Sequence, residues 1–303
     1  MRPSHREVRE WKTTVRRLSY RPPLAWDALL GFLGPRATPG VEAVVDGTYL
    51  RTFDAGGGAA GVLTAWPRAG EDALAIRIEA PAMVPLHGMV RRARRMFDLD
   101  VDPAAVAKAL ARDPLLRRSL RAHPGLRVPG AWDGFELAVR AVLGQQVTVA
   151  GATTLAGRLA EAFGAPVSRE VRARGLSRLF PTPAALATAD VKRIGMPTAR
   201  AAAIRALAKA TLDGRVTFEP AAADATTAAL LAVPGIGPWT AAYVAMRALG
   251  APDALPDTDL GLRRALATKD VLARAEAWRP FRAYGALHVW TLGHADARKK
   301  SEA

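Results

Sequence analysis

The most restrictive stretch of this chain is Leu231-Ala232-Val233-Pro234-Gly235-Ile236-Gly237-Pro238-Trp239-Thr240. The residues before it, from Asp224 onward, space their apolar side chains as a helix does and offer Asp224 as an N-cap. Pro234-Gly235 cannot continue that helix, because proline lacks an N–H and its ring collides with the preceding turn. Pro238 suits the first turn of a new helix, where a missing N–H costs nothing, so Trp239 to Leu249 reads as a second helix. Two helices are thus joined by a tight turn without side-chain bulk at Gly235 and Gly237. Backbone N–H groups at the start of the second helix can meet an anion such as a DNA phosphate. An ordinary helix–helix connection uses the same residues, so the turn alone leaves both readings open.

The residues that follow narrow the choice. The second helix is about 16 Å long at the usual rise per residue, whereas Gly250 to Thr258, with two prolines, can extend to roughly 30 Å. Asp259 can therefore return to the hairpin end. It precedes Leu260-Gly261-Leu262-Arg263-Arg264, so an N-cap for a helix over 260–266 is one role for it and a reactive carboxylate is another; the two are compatible. Asp257 reads as a solvated loop residue. Trp239, Tyr243 and Met246 fall at i, i+4 and i+7 on one helix face, which is equally the pattern of a core stripe and of an aromatic pocket wall.

Charge favours a polyanionic partner: 43 Lys and Arg against 28 Asp and Glu give a net charge of +15 and a pI near 11.1. An Arg-rich background composition is the plainer explanation, and the hairpin is what favours the first. The absence of cysteine excludes disulfides, thiolate zinc sites and cysteine-ligated iron–sulfur clusters. His5, His87, His123, His288 and His294 are scattered without a His-Glu-x-x-His pattern, and His288 reads as a structural residue of the terminal helix. Residues 1 to 23 lack the apolar segment of a signal peptide, and no run of eighteen apolar residues is present, so a cytoplasmic protein is expected.

The expected fold class is α+β: a small antiparallel sheet followed by an all-α region. Residues 1 to 20 form a basic, solvated lead expected to be partly disordered. Residues 21 to 100 hold a helix over Leu24 to Leu33, short strands over 41–45, 48–53, 62–66 and 74–78 with turn residues between them, and a basic helix over 84–98. Gly56-Gly57-Gly58 is a hairpin connection, since no Lys-Ser/Thr follows to make a phosphate-binding loop. Residues 101 to 303 carry only helices, with starts near Asp102, Asp113, Trp132-Asp133, Thr182, Asp190 and Thr198.

Pro-Gly-Ile-Gly-Pro-Trp-Thr-Ala followed about twenty residues on by Asp-Leu-Gly-Leu resembles the helix-hairpin-helix DNA glycosylases, and within them the bacterial 3-methyladenine DNA glycosylase II, or AlkA, type. Three further segments are similar to that type: Pro22-Pro23-Leu24-Ala25-Trp26-Asp27 with Gly31-Phe32-Leu33, Phe135 through Leu143-Gly144-Gln145-Gln146-Val147, and Gly195-Met196-Pro197 with Arg200-Ala201. The likeness covers nearly all the chain after residue 20.

The resemblance implies a monofunctional enzyme that flips alkylated bases of the 3-methyladenine and 7-methylguanine type out of double-stranded DNA and hydrolyses the N-glycosidic bond. It implies Asp259 as the catalytic carboxylate, a base pocket of Phe32, Trp239, Tyr243 and Trp290, and DNA contacts from Gln145, Gln146 and the turn Pro234, Gly235, Ile236, Gly237. Gln146 stands where the wedge that fills the vacated stack is leucine in the best-known bacterial type, and Leu260 stands where an aromatic can occur. A monovalent cation held by the backbone carbonyls of Leu231, Val233 and Ile236 is implied as a structural accessory, with no cofactor required for the chemistry. The chain is expected to act as a monomer. Strand-cutting relatives place a lysine where this chain has Trp239, so no lyase activity is implied. A non-catalytic helix-hairpin-helix DNA-binding protein is the alternative; Asp259 argues against it.

Overall fold

The computed structural model describes residues 11 to 301, with side chains described as far as residue 293. Strands β1 (Lys12–Ser19), β2 (Glu42–Val45), β3 (Thr48–Asp54), β4 (Ala60–Pro67) and β5 (Ala73–Ala80) form one antiparallel sheet in the order β1-β5-β4-β3-β2. Asp46 and Gly47 both take positive φ, +48° and +71°, which suits the two-residue turn between β2 and β3. The alternating apolar residues of β4 and β5 face helices α1 (Trp26–Leu33) and α2 (Leu86–Met96), whose Leu29, Leu30, Ala93 and Met96 complete the core with Tyr49, Leu63 and Ile76.

Strand β1 corrects the expectation of a disordered lead over residues 12–19. Its residues pair along their whole length with β5, from Lys12 opposite Ala80 to Ser19 opposite Ala73. Only Leu18 of the eight is buried, so the strand has no hydrophobic period; backbone pairing to an open sheet edge holds it. Residues 1 to 10 of that lead lie outside the described residues.

The helical region begins with α3 (Pro103–Leu110) and α4 (Pro114–Ala122), capped by Asp102 and Asp113. Then come α5 (Gly134–Leu143), capped by Asp133, α6 (Val149–Phe163), α7 (Arg169–Arg172), α8 (Pro183–Thr188) and α9 (Thr198–Leu212). The hairpin helices are α10 (Ala223–Leu231) and α11 (Pro238–Arg247), followed by α12 (Leu260–Ala265), α13 (Val271–Arg274) and α14 (Arg282–Ser301). Asp224 does not cap α10: a 3₁₀ turn over Pro220–Ala222 feeds the helix earlier, and Asp224 sits inside its first turn.

Helix α11 serves two cores. Its Ala241 and Val244 pack with α5, α9 and α10, while Met246 joins α4, α12 and α14 around Leu116, Leu262, Trp278 and Leu287. Met246 therefore takes the core half of the stripe reading, with 1% of its surface exposed. The loop from Gly250 to Thr258 is anchored onto α14 by Ala283 N–H donating to Pro252 O at 3.0 Å and by Arg282 pairing with Asp253 at 2.9 Å. That anchorage delivers Asp259 back to the hairpin. No helix among the described residues is long and apolar enough to cross a membrane.

Candidate active site

An open pocket of about 1180 Å³ lies where the sheet-side core meets the two helical cores. Phe32 reaches it from the end of α1 and Arg36 from the 3₁₀ turn that follows, Arg140 from α5, Gln145 to Val149 from the loop into α6, and Trp239, Tyr243 and Arg247 from α11. Asp259 to Gly261 enter from the start of α12 and Trp290 from α14. All four aromatic residues expected at the site, and Asp259 with them, are brought together. The pocket lies just above the roughly 300–1,000 Å³ of ordinary small-ligand pockets.

Asp259 fills both roles open to it. It is the N-cap of α12, and its Oδ1 accepts from the Leu262 N–H at 2.9 Å. The same oxygen accepts from Trp290 Nε1–H at 3.0 Å, while Oδ2 accepts from Trp239 Nε1–H at 2.8 Å. Three donors on three helices thus fix one half-buried carboxylate. A carboxylate has about four acceptor sites, so Oδ2 keeps one for a sugar or a water. Glycine at 261 follows from this packing: a Cβ there would lie 2.9 Å from Asp259 Oδ1 and 3.6 Å from the Trp290 ring. Asp257 is absent from the pocket lining.

The rings are organised around Trp239. It stacks on Tyr243 with centroids 5.1 Å apart and planes at 11°, and Trp290 lies 6.4 Å from Tyr243, tilted by 55°. The stacked pair leaves no gap for a third ring between its members, so an entering base meets an outer face.

Three arginines line the pocket that the sequence reading did not single out. Arg247, 4% exposed, donates to Pro129 O at 2.6 Å, Gly130 O at 3.2 Å and the Tyr243 hydroxyl oxygen at 2.7 Å. Arg36 lies over the Phe32 ring at 3.8 Å and donates to Phe32 O at 3.1 Å; burial is the main cause that lowers its guanidinium from the ordinary value. Arg140 belongs to a buried ionic network with Glu42. Burial pushes the Tyr243 phenol up, but the guanidinium groups of Arg247 and Arg36 outweigh it and hold the phenol below its ordinary value. A signal for Arg247 was present: it lies four residues after Tyr243 and eight after Trp239 on the same helix.

The two glutamines at the mouth divide their roles. Gln145 Nε2 donates to Gly235 O at 3.1 Å and Thr240 Oγ1 at 3.0 Å, which ties its loop to the hairpin. Arg200 adds a bond to Gln145 O at 2.5 Å. Gln146 is exposed, with φ at +57°, a left-handed conformation that turns the loop tip.

The hairpin glycines differ as well. Gly235 has φ at +86°, and a Cβ there would come within 2.6 Å of Ala203 Cβ, so its glycine is required by the fold. At Gly237, the N-cap of α11, a Cβ would meet nothing within 4 Å. Pro234 is exposed and Ile236 buried, so the turn's outer face is the proline and the two glycines. The carbonyls of Leu231 and Ile236 accept no backbone hydrogen bond among the described residues, and Val233 O accepts only from Ile236 N–H at 3.1 Å. That donor set suits a monovalent cation, which takes neutral oxygen ligands.

The chain resembles known proteins along most of its length. Residues 15–133 match the family model described as AlkA N-terminal domain, and residues 139–276 match the HhH-GPD superfamily base excision DNA repair protein. It is 38% identical over 280 residues to DNA-3-methyladenine glycosylase 2 of Escherichia coli, spanning 90% of this chain and 95% of that one. The chain belongs to the AlkA family. Another AlkA relative, the probable bifunctional transcriptional activator/DNA repair enzyme AlkA of Mycobacterium tuberculosis, is 40% identical over 288 residues, which are 92% of this chain and 57% of the relative. The chain thus spans little more than half of that protein. The AlkA fold is also that of a 3-methyladenine DNA-glycosylase from Archaeoglobus fulgidus, with a TM-score of 0.75 at 23% identity over 92% of this chain and 98% of that structure.

Proposed function

We propose that this AlkA-family chain is a monofunctional DNA glycosylase that removes alkylated bases of the 3-methyladenine and 7-methylguanine type from duplex DNA and so initiates base excision repair. The observation that carries the reading is the Asp259 carboxylate, fixed by two indole N–H groups and a helix N-terminus at the edge of an aromatic pocket. As the bond between the sugar and the base breaks, positive charge grows on the deoxyribose, and a carboxylate held beside it stabilises that charge and orients the attacking water. Because three donors already hold Asp259, little reorganisation accompanies the charge change. A base alkylated on a ring nitrogen is already cationic and needs little help to leave, so a second carboxylic acid is not required.

The nucleotide must leave the stack, at a cost of a few kcal/mol that is least for damaged pairs. In this reading exposed Gln146, held out by its left-handed backbone, enters the vacated space, where its amide can bond the orphaned partner base. Gln145 braces that loop on the hairpin, and the turn Pro234 to Gly237 lies along the phosphates. A monovalent cation on the carbonyls of Leu231, Val233 and Ile236 would join the turn to the DNA backbone. The enzyme acts as a monomer in the cytoplasm, on the nucleoid, and its net charge of +15 makes affinity for undamaged duplex fall steeply with salt.

The test is single-turnover incubation of the whole chain with duplex containing 7-methylguanine or 3-methyladenine. Free base with an abasic site and an intact strand is the expected outcome. Tight binding without release of any alkylated base makes the protein a damage-recognition factor instead, and strand scission without added base would contradict the assignment of Trp239 to the lysine's place.

A further inference from the structure

Gln146 has an exposed side chain and a left-handed backbone, and little of its loop's own backbone holds it there. Gly144 N–H and Gln145 N–H close onto α5, at Arg140 O and Val142 O, and the next backbone bond belongs to α6, where Ala152 N–H donates to Thr148 O at 2.9 Å. Between them Gln146, Val147 and Thr148 are exposed, and their N–H groups donate to no backbone carbonyl among the described residues. A φ of +57° is uphill for a residue with a Cβ and persists where the surroundings fix it.

What fixes it is the residue before. Gln145 is held at both ends: its carbonyl accepts from Arg200 at 2.5 Å, and its side-chain amide donates to Gly235 O at 3.1 Å and to Thr240 Oγ1 at 3.0 Å. Arg200 belongs to the first turn of α9, and Ala203, one turn on, seats the hairpin, with its methyl 2.6 Å from where a Gly235 Cβ would stand. Thr240 is buried in the first turn of α11. One helix therefore underlies both the loop and the hairpin turn, and Gln145 closes the gap between them.

We infer that Arg200 and Thr240, acting through Gln145, are positioning residues that hold Gln146 in register with the hairpin, so that gripping the phosphates and filling the stack become one step. This rests on the glycosylase reading, with Gln146 as the group that enters the vacated space. Neither residue is bonded to Asp259, whose donors are Leu262, Trp239 and Trp290, so the brace bears on opening the pair and not on breaking the bond. A single-turnover rate at saturation is the fraction of nucleotide out of the stack multiplied by the rate of cleavage from that state. A loose loop lowers the first factor, because its ordering must then be offset by the contacts it makes on DNA. A lesion without a partner leaves the stack at little cost, and there the first factor no longer limits.

The experiment measures single-turnover release of 7-methylguanine, at saturating protein, from two duplexes: one with the lesion opposite cytosine, the other with it unpaired in a one-nucleotide bulge. Arg200→Met keeps the reach of the side chain and removes the donor. Its rate on the paired lesion should fall about tenfold or more, the effect of one lost charged hydrogen bond, and its rate on the bulge by less than about threefold. Arg200→Lys, which keeps a donor, recovers most of the paired rate. Thr240→Val, which keeps the shape and removes one of the amide's two acceptors, gives the same bias at about threefold. Equal losses on the two duplexes would make these folding residues, and unchanged paired rates would make Arg200 a plain phosphate contact; either result overturns the inference. Wild type that releases 7-methylguanine from neither duplex sinks the glycosylase reading itself.

Discussion

Two clusters of charge adjoin at Arg140 in this molecule, and they are built on opposite plans. Glu42, Arg51, Glu136 and Arg140 tie the sheet to α5: Arg51 donates to Glu136 at 2.6 Å and Arg140 to Glu42 at 2.7 Å, while Glu42 also receives the Thr38 N–H at 3.1 Å. Two acids meet two bases, all of them buried or nearly so. Burial works against the Glu42 charge, yet Arg140 and Arg51 hold its carboxyl below the usual range. In the pocket the plan is separation: Asp259 at one wall, and at the other Arg247 and Arg36, which have no acidic partner among the described residues. Paired charges hold the architecture, and separated ones leave a field across the space where a base would sit.

The largest effect that can break this comparison is Glu136→Ala, which removes the hydrogen-bonded partner of buried Arg51 and leaves it only the longer 3.7 Å contact with Glu42. A loss of about 3–5 kcal/mol in chemical denaturation is expected. A loss under 1 kcal/mol would mean that the network does not join sheet to helix as described. Next come the hairpin glycines. Gly235→Ala places a Cβ at φ +86° and 2.6 Å from Ala203, with an expected cost of about 1–3 kcal/mol. Gly237→Ala should cost at most about 1 kcal/mol as a poorer cap while weakening duplex binding, measured by titration at fixed salt. Equal stability losses at the two glycines would remove the distinction between a folding glycine and a DNA-facing one.

A smaller effect concerns pH. Burial pushes the Asp98 carboxyl up to about 7, where it accepts from Tyr284 Oη–H at 2.7 Å. A carboxyl raised on folding contributes stability below its unfolded value, near 4, and loses it as pH rises through 7. His288 runs the other way: burial depresses it to about 4, so its part of the stability is lost as pH falls from about 6.5. The difference in stability between wild type and Asp98→Asn isolates the carboxyl, and should shrink by roughly 1 kcal/mol per pH unit between 4 and 7. A difference that grows with pH would place Asp98 as a charged anchor instead.

How much could be read from the chain itself depended on whether a residue's role left a local pattern. Strands β2 to β5 carry alternation and turn residues, and Asp259 announces itself by Asp-Leu-Gly-Leu after the hairpin. Strand β1 was illegible because an edge strand with only Leu18 buried needs no apolar period. Arg36 was hidden for a different reason: among 43 basic residues, nothing distinguishes it as an arginine that lines a pocket, whereas Arg247 at least shares a helix face with Trp239 and Tyr243. Their placement depends on which loop carbonyls and rings come within reach, and that is decided only when three cores meet.

The central claim is that Asp259 acts on the sugar and does not merely cap α12. Asparagine caps a helix about as well as aspartate, so Asp259→Asn keeps the Leu262 bond within reach while removing the charge. Single-turnover release of 7-methylguanine by this variant, measured beside its affinity for the same duplex, should fall by about 10²–10³-fold with affinity within a few-fold of wild type. Excision within a few-fold of wild type at unchanged affinity would show that the carboxylate is a cap and no more.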